Sequence, residues 1–153
     1  MDYHVIIEPA DSEKIEFTTA STGNDPANDH DHDHIQKFEF KMNSLNDGAL
    51  ERDQNARCEM RLEGVIDDHN RETTGKLADW AMRTRNLYAT VTVELTASND
   101  ASMTLRRYIF DKMFCVDYEE TYENSDTDGS DAGKFTLFMA QGPHYKKRTL
   151  VSV

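Results

Sequence analysis

Apolar and polar residues alternate with a period of two through most of this chain. A strand buried on one face needs that period, and a helix does not supply it. From Lys37 the order Lys-Phe-Glu-Phe-Lys-Met sets Phe38, Phe40 and Met42 on an inward face and Lys37, Glu39 and Lys41 on the opposite one. The pattern returns with Cys58, Met60 and Leu62 against Arg57, Glu59, Arg61 and Glu63. It returns again over residues 87–95, with Leu87, Ala89, Val91, Val93 and Leu95 inward, and in Phe135, Leu137 and Met139. Residues 105–110 and 114–122 read as two further strands, the second with Phe114, Val116, Tyr118 and Tyr122 on one side. Near the start, residues 3–8 and 14–19 flank the turn-forming Pro9-Ala-Asp-Ser12, which predicts a hairpin.

One segment breaks the period. Leu77, Trp80, Ala81 and Thr84 recur at spacings of three and four, so a helix capped by Thr73 or Thr74 and ending near Arg85 is expected, with Trp80 as its anchor. Strands on both sides of a single short helix predict a mainly β fold. The simplest form is two packed antiparallel sheets making a barrel in a single domain over 1–153. Extended polar loops are expected at about 18–34 and 43–55, and a basic tail at 143–153 whose final Thr-Leu-Val-Ser-Val can add an edge strand here or on a neighbour.

Charge narrows the function classes. The chain of 153 residues carries a net charge of −12, which argues against sequence-specific nucleic-acid binding or an anionic membrane surface, since both need clustered Lys and Arg. No apolar run is long enough to insert in a bilayer, and the first residues lack the basic-then-apolar order of a signal peptide. Cytoplasmic assembly is the expectation. The two cysteines, Cys58 and Cys115, sit on strand faces and read as reduced and buried.

The stretch Asn-Asp-His-Asp-His-Asp-His at 28–34 is the one that suggests a metal. His32 and His34 with Glu39 approximate the first metal motif of cupins, giving a second reading as a metal-binding β-barrel enzyme or binding protein. The second cupin motif is missing: His144 after Gly142-Pro143 stands outside a clean strand, and Glu39 belongs to the polar face with Lys37 and Lys41. The acidic loop from Asp126 to Asp131 lacks the closing Glu of a calcium loop, because its twelfth position is Leu137. No nucleophile elbow is present, and Thr73-Thr-Gly-Lys76 is too poor in glycine for a phosphate loop. No catalytic, cofactor-binding or metal residue is therefore assigned, and the chain reads as a non-enzyme without a cofactor.

The stretch SMTLRRYIFDKMFCVDYEETYE, followed by an acidic gap and GKFTLFMAQ, resembles the end of the tube proteins of contractile injection systems. These include the haemolysin-coregulated protein (Hcp) of type VI secretion and its relatives in phage tails and phage-like particles. Leu105, Phe110, Phe114, Val116, Tyr118 and Glu120 occupy the pattern, and Met113 stands where a small residue is common. Upstream strands, the short helix and the return strand follow in the same order over about residues 35–141. The resemblance implies a β-barrel of two packed sheets with a helix at its side, six copies to a ring and rings stacked into a conduit for cargo or DNA. It implies sheath, baseplate, spike and cargo proteins as partners. The residues agree with a structural role on their own: strands with open edges need partners, and a closed ring of like subunits supplies them.

Overall fold

The fold turns on one long strand. A computed structural model describes residues 1–18, 35–43, 57–83, 87–97, 100–123, 133–142 and 149–152. Its elements are β1 (Asp2–Pro9), β2 (Ile15–Thr18), β3 (Ile35–Asn43), β4 (Arg57–Ile66), α1 (Arg71–Ala81), β5 (Ala89–Ala97), β6 (Asp100–Tyr122), β7 (Gly133–Gln141) and β8 (Thr149–Ser152). The strands form a single antiparallel sheet in the order β2-β1-β5-β6-β7-β4-β3, with β8 also on β6. The two runs that the sequence separates at 105–110 and 114–122 are thus parts of one strand of 23 residues.

β6 serves both halves of the sheet. Its first half pairs with β5 on one side and with β8 on the other, and its second half pairs with β7. Between the halves the register against β5 shifts, and Lys112 takes a φ of 56°. A bulge of this kind bends a strand and raises its twist. The bend folds the sheet over on itself, so that Phe17 of β2 meets Phe135 of β7 at 5.6 Å. At the other margin Phe40 of β3 meets Tyr108 at 4.9 Å and Phe110 at 5.3 Å. Two layers result, as the alternation predicts, but they belong to one sheet that, among the described residues, is not closed into a barrel.

The core lies between the layers. Val5, Ile7, Val91, Val93, Leu62 and Leu137 are fully buried, and all are inward members of period-two runs. α1 closes one side with Leu77 and Trp80, whose indole Nε1 donates to the Leu87 carbonyl at 3.2 Å.

Three expectations need correction. Phe40 and Met42 share the inward face of β3 but remain 36% and 47% exposed, because they lie at the rim of the folded sheet. Neither Phe114 nor Val116 shares a face with Tyr118: Phe114 stands with Asp117 on the open side. A second register shift between Cys115 and Asp117 turns Val116 outward, 60% exposed, while Cys115 and Tyr118 pack on the core. The helix starts earlier and ends sooner than expected. Asn70 is its N-cap residue and makes no side-chain cap bond; Asp67 Oδ1 accepts from the His69 and Asn70 amides at 2.9 and 3.1 Å and orders the turn that leads into the helix. Thr74 is buried inside the helix, donating to the Asn70 carbonyl at 3.0 Å. Cys58 and Cys115 are free, the first buried and the second half-buried.

Candidate assembly surface

The half-sheet β6-β7-β4-β3 has one covered face and one open face. On the covered face Cys58, Met60, Leu62, Phe135, Leu137 and Met139 enter the core. The open face follows from the register as rows of cross-strand neighbours. Lys41, Glu59, Ala140 and Phe114 form one row; Glu39, Arg61, Phe138 and Asp117 the next; Lys37, Glu63, Thr136 and Glu119 the third.

On β3 and β4 the rows make a checkerboard of charge. Lys-Glu-Lys on one strand stands against Glu-Arg-Glu on the other, so every direct cross-strand neighbour is of opposite sign. Lys41 meets Glu59 at 3.2 Å, Lys37 meets Glu39 at 2.9 Å, and Arg61 pairs with Glu63. Arg61 also lies over the Phe138 ring, 5.3 Å from its centroid. The hydrogen bond from Lys37 holds the Glu39 carboxyl below its ordinary value. Asp117 and Glu119 at the β6 margin are exposed, and among the described residues neither meets a cation. Asp117 Oδ1 accepts from the amide of Tyr118, at 2.9 Å.

Both margins of this half-sheet are open. Among the described residues no strand pairs with the outer edge of β3, and none pairs with residues 114–122 of β6 on the side away from β7. Phe40 and Met42 on β3 and Val116 and Tyr122 on β6 are exposed at these margins. Phe40, Phe38, Tyr108, Phe114 and Val116 line a groove of about 1130 Å³. The alternating charges were legible in the sequence. The open edges were not, because an edge is defined by which strands fail to pair.

Of the residues of the metal reading, only Glu39 lies within the described part of the chain. His32 and His34 lie outside the described residues, and Glu39 is engaged by Lys37 on the face turned away from the core. Among the described residues no cluster of three His, Cys, Asp or Glu could hold an ion. The acidic loop from Asp126, His144 and the basic run from Tyr145 also lie outside the described residues. Among the described residues no helix is long and apolar enough to cross a membrane.

No protein-family model matches the sequence, and no curated protein matches it. Solved structures do match. A crystal structure of an Hcp protein aligns with a TM-score of 0.58 at 11% identity, covering 99% of this chain and 99% of that one. A chain of the anti-feeding prophage baseplate, solved by cryo-EM with six-fold symmetrisation, aligns with a TM-score of 0.51 at 11% identity, covering 97% and 91%. This chain therefore has the Hcp-like fold.

Proposed function

We infer that the chain is the structural, non-enzymatic subunit of the inner tube of a contractile injection system. The observation that carries this reading is the pair of open edges at opposite ends of β6-β7-β4-β3. An unpaired edge is a template for another strand, and here the two are alike in length. Because neighbours in the sheet are antiparallel, the β6 of a second copy placed beside β3 continues the alternation. Joining copies head to tail in this way either runs on as a filament or closes as a ring. The layer that carries β1, β2, β5 and α1 then lies outside, where the circumference is larger, and the charged face lines the lumen.

Six copies to a ring is the number we favour, with sheath, baseplate, spike and cargo proteins as partners of an assembly that starts in the cytoplasm and leaves as part of a particle. The likeness to an Hcp protein supports the fold on which this reading rests. Rings stack through the loop at 18–34, with 43–55 as the second contact; both lie outside the described residues except at their ends. Size-exclusion chromatography with light scattering, followed by negative-stain microscopy, tests the reading. Rings or tubes are expected, and a monomer at high concentration overturns it. Deleting residues 22–33 is expected to leave folded subunits and rings that no longer stack.

A further inference from the structure

The two edges that the ring reading brings together differ in charge. On the open face β3 presents Lys37 and Lys41 around a single carboxylate, Glu39. The β6 edge presents Asp117 and Glu119 with no cation from the described residues beside them. Lys37 and Lys41 are both well exposed, with 46% and 67% of the side-chain surface accessible. Their intrachain partners lie along β3 or on its inner neighbour β4.

We propose that Lys37 and Lys41 of one copy receive Asp117 and Glu119 of the next, and that this charge match selects a head-to-tail join over a like-to-like one. Two β3 edges brought together would set lysine near lysine, and two β6 edges would set carboxylate near carboxylate. By the net charge of the facing residues, only the mixed join sets a positive edge (Lys37, Glu39, Lys41) against a negative one (Asp117, Glu119). Antiparallel neighbours interact both directly and across the diagonal, the diagonal being within reach of a long side chain. Sliding the join by one pair of residues in either direction still leaves an acid of β6 directly or diagonally beside a lysine. The match thus sets which edges meet and tolerates the stagger that a closed barrel imposes.

The proposal also settles the character of the lumen wall in the ring reading. The acids are two residues apart and the lysines four, so in the central registers one acid stands directly opposite a lysine and the other opposite Glu39 with a lysine on each diagonal. Both acids gain nearby cations, and the wall becomes a mosaic of short-range pairs. Over distances beyond a Debye length of about 8 Å such pairs cancel. The strong negative charge of the chain then lies mainly off this face.

The proposal rests on the ring reading, and charge reversal separates the two. K37E/K41E and D117K/E119K, each alone, are expected to lose assembly by light scattering while keeping a cooperative thermal transition by circular dichroism. Mixing the two variants in equal amounts is expected to restore assembly, and so is the fourfold variant K37E/K41E/D117K/E119K. Rescue by mixing reports a contact between copies, because in the mixture no single chain carries both a reversed β3 and a reversed β6. Assembly of either double variant at wild-type level overturns the charge match and leaves the ring reading standing. Folded variants that fail to assemble when mixed overturn it as well. Wild-type protein that never assembles overturns the ring reading itself. K37E/K41E also sets acids beside Glu63 and Glu59; should it not fold, D117K/E119K decides alone, and its normal assembly overturns the proposal.

Discussion

Gln141 joins Cys58 to the bend in β6. Its Oε1 accepts from the Cys58 amide at 3.2 Å, and its Nε2 donates to the Asp111 carbonyl at 3.1 Å. The side chain is 1% exposed, so neither backbone group has ready access to water if the amide is removed. A buried donor or acceptor left unsatisfied costs about 1–3 kcal/mol. Gln141→Leu fills similar space and strands both groups, so a loss of about 2–4 kcal/mol is expected, read as a lower midpoint in urea. A change below about 0.5 kcal/mol would mean that the clamp contributes nothing measurable.

Lys112 holds the other side of that bend. Its φ of 56° is a left-handed conformation, which costs an L-residue with a side chain about 1 kcal/mol or more, and its carbonyl accepts from the Gly142 amide at 2.8 Å. Lys112→Gly relieves the strain but loosens the unfolded chain, and the two effects nearly cancel; stability within about 0.5 kcal/mol of wild type is expected. Lys112→Val, branched at Cβ, is expected to cost about 1–3 kcal/mol. The comparison of the two variants by thermal melt is the measurement, and equal melting temperatures would sink the argument.

These two residues show where the sequence stops being informative. Local period two located the strands, because each inward residue of β4, β5 and β7 reports its own burial. It split β6, because Asp111-Lys112 interrupts the alternation and nothing local says that the chain continues beyond it as the same strand. Phe40, Met42 and Val116 have the hydrophobicity of core residues and are exposed, since burial at a margin depends on a partner strand many residues away. Asn70 was a legible cap position, since Asn is a preferred N-cap and its bonds with Asp67 and Val65 are local, but Thr73 and Thr74 stand nearer the apolar stripe and compete with it for that role in the sequence. For the assembly surface, the alternating charges were plain at 37–41 and 59–63, whereas their place beside an open edge needed the strand order.

Gly133 gives a test at the far end of the same strand pair. A Cβ there would stand 2.6 Å from Cε1 of Tyr122, whose hydroxyl donates to Glu120 Oε2 at 2.7 Å. Tyr122 is exposed and can swing away, so Gly133→Ala is expected to break that bond rather than unfold the strand, at about 0.5–1.5 kcal/mol. Combining it with Tyr122→Ala removes the clash and the bond together. The double variant is expected to be more stable than the sum of the singles predicts, by about 0.5–1 kcal/mol. Strict additivity in urea melts would place the cost of the alanine elsewhere.

Cys58 predicts a pH dependence with a definite sign. Burial is the main cause, and the nearby Glu59 carboxylate the lesser one, of a thiol pKa pushed from 9.0 up to about 12. The unfolded chain therefore releases this proton near pH 9 while the folded chain keeps it, so between pH 9 and 12 the folded state binds more protons. The stabilising contribution is complete below pH 9 and falls as pH rises, by about 1.4 kcal/mol per unit once the unfolded thiol is ionised. Cys115 and Tyr118 are also raised, chiefly by burial, and add slope of the same sign. Cys58→Ala keeps the amide that Gln141 binds and removes only the thiol, so its unfolding free energy is expected to fall less steeply from pH 8.5 to 10.5 than that of the parent. Reducing urea titrations across that range measure both slopes. Parallel lines would show that the Cys58 thiol ionises as easily in the folded chain as in the unfolded one.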